Sequence, residues 1–92
     1  MKARAHVFVS GRVQGVFYRA FAREKATSHG VRGGVRNLPD GRVEAILEGE
    51  RKDIEEVIEE LKVGPPYARV DEVEVEFEEY RNEFRDFQVR YF

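Results

Sequence analysis

The stretch with the clearest chemical potential passes through two glycines and reaches an arginine: Gly11-Arg12-Val13-Gln14-Gly15-Val16-Phe17-Tyr18-Arg19. The first turn of a helix has N–H groups without intrahelical partners, and the helix dipole adds about half a positive charge there. Glycine allows successive N–H groups to converge on one point, and an arginine can contact two phosphoryl oxygens at once. Such a turn is also typical of a simple tight connection. In its functional interpretation the stretch predicts an anion site, with Arg19 as the cation.

An asparagine lies at the mouth of a predicted hairpin. Asn37 precedes Leu38-Pro39-Asp40-Gly41, in which proline presets its own φ and glycine accepts a positive φ. The flanking segments 33–37 and 42–48 should therefore pair as strands. An asparagine before such a turn commonly hydrogen-bonds the turn backbone, and from the residues alone this structural role stays open beside a role in a site.

Helical spacing of apolar residues predicts two helices. The first follows the glycine stretch, repeats its apolar positions from Phe17 to Ala26, and has Gly30 as its C-terminal cap. Aromatic residues at its start should pack in the core or wall the loop; these are Phe17, Tyr18 and Phe21. The second helix is the clearest, with apolar residues at i, i+3, i+4 and i+7 between Ile54 and Leu61, and it ends at Gly64-Pro65-Pro66.

Alternation of apolar and polar residues predicts the strands beside the hairpin. It runs through Ala5 to Val9 and Val73 to Phe77, and returns in Phe87, Val89 and Tyr91 as a short extra C-terminal strand. The order strand, helix, strand, strand, helix, strand predicts a ferredoxin-like α+β fold. This is a βαββαβ sandwich with two helices on one face of an antiparallel sheet, and its other face should lie largely in solvent.

Composition limits the class of protein. The 92 residues, 41% of them hydrophobic, predict one globular domain spanning 1–92. The lack of cysteine excludes disulfides and thiol nucleophiles and fits a cytoplasmic location. No apolar run reaches the length of a membrane span or signal peptide, and the net charge of −2 would not attract nucleic acid from a distance. Abundant lysine, arginine and glutamate without cysteine is also seen in heat-adapted proteins, so a thermostable protein is expected.

Two segments together resemble the paired signatures of the acylphosphatase family. The first signature, G-x-V-Q-G-V-x-[F/Y]-R, is matched at every specified position from Gly11 to Arg19. The second is matched from Gly33 to Gly49, except that Gly34 stands where the family usually has an aromatic residue. Further likeness in Gly64–Val70 and in Asp86-Phe87 extends the resemblance over nearly the whole chain.

The resemblance implies a metal-independent hydrolase without a cofactor, which cleaves the carboxyl–phosphate bond of acyl phosphates to a carboxylate and inorganic phosphate. It implies that Arg19 binds the phosphoryl group and that Asn37 holds the attacking water. The implied phosphate-binding residues are Gln14, Gly15, Val16, Phe17, Tyr18 and Arg19. The expected partner is a small-molecule acyl phosphate, with no nucleic acid, metal or membrane, and we expect a monomer.

Other polar residues indicate no second site. His6 on a strand and His29 near a helix end have no carboxylate neighbours at ligand spacing in the sequence, so no metal site is predicted. The alternating glutamates from Glu72 to Glu78 are typical of a solvated strand face, and they discourage the stacking of sheets.

Two rival functions remain to be weighed. RNA-recognition domains share this order of elements, but Arg42 to Glu48 lacks the K/R-G-F/Y-G/A-F-V-x-F/Y pattern of their third strand. A non-catalytic phosphate sensor, or a module of a larger enzyme that handles carbamoyl phosphate, stays open.

Overall fold

A computed structural model describes residues 1–89 and shows a five-stranded sheet with two helices on one face. In chain order the elements are β1 (Lys2–Arg12), α1 (Tyr18–Ser28), β2 (Arg32–Asn37), β3 (Val43–Glu50), α2 (Arg51–Val63), β4 (Arg69–Glu78) and β5 (Phe87–Val89). The ferredoxin-like βαββαβ order and the extra C-terminal strand are confirmed. Tyr91, which the alternation placed in that strand, lies outside the described residues. Neither helix in this part of the chain has the length and hydropathy to cross a bilayer.

The direction of the strands brings three strand ends together. The sheet order is β4-β1-β3-β2-β5, in which the first four strands pair antiparallel as predicted. The alternation left the direction of β5 open, and β5 pairs parallel with β2. Because β1 and β2 both run antiparallel to β3, the strands β1, β2 and β5 all point the same way. Their C-terminal ends, at Arg12, Asn37 and Val89, therefore lie together at the end of the sheet to which all three strands point.

The core lies between the sheet and the two helices. It contains the inner face of β3 and the apolar stripe predicted for α2: Val43, Ala45, Leu47, Ile54, Val57, Ile58 and Leu61. Tyr18 at the start of α1 is buried among them, and its hydroxyl donates a hydrogen bond to the carbonyl oxygen of Leu61 at 2.7 Å. Burial raises the pKa of the Tyr18 phenol. This bond fixes the start of α1 against the end of α2.

Tight turns connect the elements as the sequence predicts. In the β2–β3 hairpin the N–H of Leu38 donates to the carbonyl of Arg42 at 2.8 Å, and Gly41 has a φ of 97°. The side chain of Asp40 accepts from the Arg42 N–H at 3.0 Å, and this bond lowers the pKa of the Asp40 carboxyl. Gly30 follows α1 with a φ of 72°, the left-handed conformation of a helix C-terminal cap.

The face of the sheet away from the helices differs from the expectation of a largely solvated surface. The segment 79–86 crosses this face between β4 at one edge and β5 at the other, and we call it the outer strap. The Glu48 carboxylate, which is 0% exposed, accepts hydrogen bonds from the backbone N–H groups of Arg81 and Glu83 and from the Arg4 guanidinium, at 2.8 to 3.1 Å. A buried ion pair therefore anchors the outer strap, which periodicity could not reveal.

Arg4 serves several carboxylates at once. Besides Glu48, it contacts Glu78 at 3.0 Å and Glu83 at 2.8 Å. Glu78 is thus paired with Arg4, whereas the sequence indicated a solvated glutamate at this position. Burial alone would raise the pKa of the Glu48 carboxyl, but the hydrogen bonds from the strap N–H groups and Arg4 outweigh burial and lower it. Glu48 is thus ionised at neutral pH and is held in that state by the strap.

We predict that Glu48→Gln lowers the free energy of unfolding by about 3 kcal/mol at pH 7, because it leaves Arg4 without its buried partner. The lowered pKa of Glu48 means that this contribution is present above the pKa of an unfolded glutamate, about 4.3, and is lost as the pH falls below it. Urea unfolding between pH 3 and pH 7 should show the wild type and the variant converging in acid. The exposed Glu76→Gln should behave as wild type, and an equal loss there would contradict the special role of Glu48.

Candidate active site

The loop between β1 and α1 begins at a bulge in the sheet. Pairing of β1 with β4 shifts register between Ser10 and Gly11, and Gly11 has a φ of 124°. A Cβ on Gly11 would lie 2.2 Å from the carbonyl oxygen of Arg69, which no side chain tolerates. The glycine is therefore required for β4 to approach β1 where the loop leaves the sheet.

Backbone dihedrals in the middle of this loop alternate in sign. Gly15 has a φ of 74° and Phe17 a φ of 65°, while Val16 between them is not among the residues with positive φ. Alternation of this kind turns successive N–H groups to the same side and forms a concavity of the type that binds anions in other proteins, called a nest. The first turn of α1 contains no acidic residue, and the Phe17 side chain gives no capping hydrogen bond. The positive end of the helix thus faces the nest without a negative side chain of its own.

Phe17 is an unusual residue to find at the centre of the nest. A bulky side chain in the left-handed conformation costs about 1–2 kcal/mol, and strain of this type concentrates at functional sites. Phe17 is 78% exposed and lines the cavity described below, so it takes the second of its two expected places and walls the loop. Nothing in the sequence signals the left-handed conformation, because glycine and asparagine are its usual occupants.

A cavity of about 470 Å³ opens beside the nest. Its lining residues are Val13, Gly15, Phe17, Tyr18, Arg19, Ala20, Arg23 and Val89. Arg19 lies in the first turn of α1, as predicted, and is half-buried. Three lining residues lie outside the loop predicted from the sequence: Ala20, Arg23 and Val89. Helical spacing from Arg19 could have found Arg23 one turn later, whereas Val89 reaches the cavity only because β5 runs parallel to β2.

The side chain of Gln14 ties the loop to the hairpin. Its amide Nε2 donates to the carbonyl oxygens of Leu38 at 2.8 Å and Arg42 at 2.9 Å. These bonds direct the amide to the hairpin, so only its backbone N–H is left as the donor of the expected phosphate contact. Gln14 therefore sets the position of the loop against the end of β2, a role that the sequence did not indicate.

Asn37 is the last residue of β2, at the same end of the sheet as the loop. It pairs with Val43, which also pairs with Val9 near the end of β1. The hairpin turn is closed by Leu38 and Asp40. The Asn37 Oδ1 atom is buried and accepts no hydrogen bond from any residue that the structure describes. Asn37 does not line the cavity itself, but the bond from Gln14 to the adjacent Leu38 joins its strand end to the loop.

The two histidines have carboxylate neighbours in the structure, although none lies at ligand spacing in the sequence. His6 Nε2 lies 2.6 Å from the Glu44 carboxylate across the strands, and His29 lies 3.1 Å from both Glu56 and Glu60 of α2. These neighbours come from elements distant in the chain, so spacing along the sequence could not find them. Neither histidine lines the cavity beside the nest.

Fold and loop together define a small α+β unit in which a loop with the dihedrals of a nest lies where three strands end. The sequence model of the acylphosphatase family matches residues 5–89. The chain is 59% identical over 88 residues to an acylphosphatase of Pyrobaculum arsenaticum, covering 95% of this chain and 93% of the relative. It is similar to the crystal structure of an acylphosphatase from Bacillus subtilis, with a TM-score of 0.93, 32% identity, and coverage of 99% and 100% of the two chains. The chain therefore belongs to the acylphosphatase family.

The same fold also occurs inside a longer protein. The crystal structure of HypF from T. kodakarensis matches 99% of this chain with a TM-score of 0.83 and 39% identity, but the match spans only 12% of that chain. A unit of this architecture is thus found both as most of a chain and as a small part of one.

The nest can be tested with two glycines of nearly equal φ, Gly15 and Gly30, around which a Cβ meets nothing within 4 Å. We predict that Gly15→Ala and Gly30→Ala each lower the free energy of unfolding by about 1 kcal/mol, the cost of a left-handed alanine. Calorimetric titration with inorganic phosphate should show about tenfold weaker binding for Gly15→Ala, because partial relief of the left-handed strain turns the adjoining N–H donors away from the charged group. Gly30→Ala should bind as wild type. Equal phosphate affinity in both variants would remove the nest from the site.

Proposed function

We propose that the protein hydrolyses the carboxyl–phosphate bond of acyl phosphates, with the phosphoryl group in the nest and Arg19 and Asn37 as the catalytic residues. The observation that carries this proposal is the alternation of φ at Gly15 and Phe17, directly before an α1 terminus that has no acidic residue in its first turn. Family membership supports the reaction, and the geometry supports the assignment of roles.

Charge stabilisation falls to Arg19 and the loop N–H groups. Phosphoryl transfer proceeds through a loose transition state, in which charge spreads over the equatorial oxygens and the protein forms no covalent bond. Donors that are fixed before the reaction stabilise this charge without reorganising. The N–H groups from Gly15 to Arg19 are fixed by the backbone, and the arginine adds a bidentate contact. A phosphate dianion in the nest thus meets the positive helix end and a guanidinium together.

The leaving group needs no protonation by the protein. An acyl phosphate releases a carboxylate whose conjugate acid has a pKa of roughly 4, so a general acid adds little to its departure. The carboxyl groups of the hairpin are unsuited to such a role in any case. The pKa of Asp40 is lowered by Arg42, and the pKa of Glu44 is lowered because hydrogen bonds from His6 and Arg36 outweigh its burial. Both are ionised at neutral pH.

The water that attacks phosphorus is assigned to Asn37. Buried polar atoms almost always have a hydrogen-bond partner, and the Asn37 Oδ1 atom has none among the described residues. A water donating to this oxygen would satisfy it, and a neutral amide can orient such a water without changing its charge. The proton of the water passes to the phosphoryl oxygen of the substrate. Gln14 keeps this strand end in register with the nest.

The reaction proposed here uses no metal and no cofactor, because Arg19 and the N–H donors supply the charge stabilisation that a metal would otherwise give. We take residues 1–92 as one catalytic domain that acts as a monomer on a small-molecule acyl phosphate. The alternative is a phosphate-binding module without turnover. The likeness to HypF supports this alternative, because a unit of the same architecture is a small part of that larger protein.

Mutant kinetics should separate the two roles. We predict that Arg19→Ala weakens competitive inhibition by phosphate and lowers kcat by about 10²–10³-fold, as expected for loss of a donor to developing charge. Asn37→Ala should lower kcat by about 10²-fold and leave the phosphate inhibition constant unchanged within about threefold, because it touches only the water. The measurement is phosphate release from acetyl phosphate in the presence of EDTA.

Two surface variants of the outer strap provide matched controls, since Arg81 and Asn82 are exposed and lie on the far face of the sheet. Arg81→Ala and Asn82→Ala should keep wild-type kcat and phosphate inhibition. Loss of wild-type activity in EDTA would contradict metal independence. Phosphate binding without any release would leave the alternative of a binding module, and normal kcat in Asn37→Ala would remove its role with water.

A further inference from the structure

A second cluster of chemically competent side chains lies where α1 ends against α2. His29 is the C-terminal cap residue of α1, and Asp53 and Glu56 lie in the first half of α2. One donor atom from each of these residues lies within 4.8 Å of the other two. His29 follows Arg19 by ten positions, which at about 1.5 Å per residue places the cluster about 15 Å along α1 from the nest. The cluster is therefore distinct from the proposed active site.

Small side-chain movements would bring the donor atoms of His29, Asp53 and Glu56 to the separations found in a metal coordination shell. Zinc bonds to nitrogen and oxygen of about 2.0–2.2 Å place tetrahedral ligands about 3.4 Å apart. The Nδ1 atom of His29 already lies 3.1 Å from the Glu56 carboxylate. Asp53 is half-buried and Glu56 is exposed, so their carboxylates can approach by rotation about side-chain bonds. Two carboxylates also neutralise a divalent ion, which favours binding at a partly exposed position.

The other imidazole nitrogen has the partner that a metal-bound histidine needs. Metal-ligating histidines nearly always donate their second ring N–H to a carboxylate or carbonyl, which fixes the tautomer and orients the ring. The Nε2 atom of His29 lies 3.1 Å from the Glu60 carboxylate, one turn after Glu56 on α2. Glu56 and Glu60 thus contact opposite nitrogens of one ring, and Nδ1 is directed to the three-residue cluster.

The second histidine of the chain lacks this arrangement. His6 also contacts two carboxylates, but Glu44 is paired with Arg36 and Glu78 is paired with Arg4. Arginine cations therefore already neutralise the oxygens around His6, whereas the carboxylates of Glu56 and Glu60 have His29 as their ion-pair partner in the structure. This difference makes His6 an internal reference for any experiment on His29.

We propose that His29, Asp53 and Glu56 bind a divalent transition metal, with Zn²⁺ as the expected ion, and that Glu60 orients the imidazole. One nitrogen and two carboxylate oxygens suit Zn²⁺ and its first-row neighbours, while Mg²⁺ prefers oxygen ligands alone. Water would complete the coordination shell on the solvent side. Bound metal joins the C-terminal end of α1 to α2 and stabilises the packing of the two helices. The proposal does not depend on the reaction at the nest.

Zinc titration of the full chain, followed by NMR of the histidine ring nitrogens, tests the proposal directly. Saturable Zn²⁺ binding should shift the Nδ1 signal of His29 and leave His6 unchanged, while Mg²⁺ at the same concentration should shift neither. His29→Ala should abolish the calorimetric binding isotherm for zinc. Glu60→Gln, which keeps every metal ligand, should weaken zinc affinity by about tenfold, because outer partners of ligating histidines contribute 10–100-fold.

Glu59→Gln is the matched control on the same helix, since Glu59 is exposed and pairs with Lys62 outside the cluster. It should bind zinc as wild type. The proposal is wrong if zinc shifts His6 as much as His29, if His29→Ala binds with wild-type affinity, or if Glu60→Gln and Glu59→Gln lose affinity equally. Unchanged thermal unfolding of the wild type at saturating zinc would overturn the stabilising role.

Discussion

The strands β1, β2 and β5 run in the same direction, which places their C-terminal ends together at one end of the sheet. Every part of the proposed active site lies at or next to one of those strand ends. The nest follows β1, Asn37 ends β2, and Val89 in β5 lines the cavity. The strands β1 and β2 do not contact each other, because β3 lies between them. The sheet therefore acts as a rigid spacer that fixes the distance between the nest and Asn37, so the loop needs to supply only local curvature.

That curvature is unfavourable by itself and is held by contacts outside the loop. The left-handed conformation of Phe17 costs about 1–2 kcal/mol. Two side chains on either side of it make hydrogen bonds worth about 0.5–1.5 kcal/mol each: Gln14 to the hairpin and Tyr18 to the end of α2. These contributions are similar in size to the strain. The anchors explain how a chain of this length keeps a strained turn ordered, since they act on the residues that flank the strain.

Local patterns foretold most of the fold, because hairpin, helix and strand signals arise between residues close in the chain. The α2 stripe and the turn at Asp40-Gly41 needed no tertiary information. The features that escaped prediction join distant residues: Arg4 meets Glu48 from a different strand, and His29 meets carboxylates of another helix. Asn37 was only partly predictable from the sequence. Its position at the hairpin mouth was readable, but only the fold shows a buried oxygen without a partner among the described residues.

The outer strap has a consequence for how the molecule assembles. It carries the chain from β4 across the far face to the opposite edge, where β5 adds to β2, while β4 pairs with β1. Both pairings connect segments far apart in sequence, and such contacts form late because loop-closure entropy must be overcome first. Val89 lies near the other end of the chain from the nest that it helps to enclose. A chain in which β5 has not yet added to β2 thus lacks the part of the cavity wall that Val89 supplies.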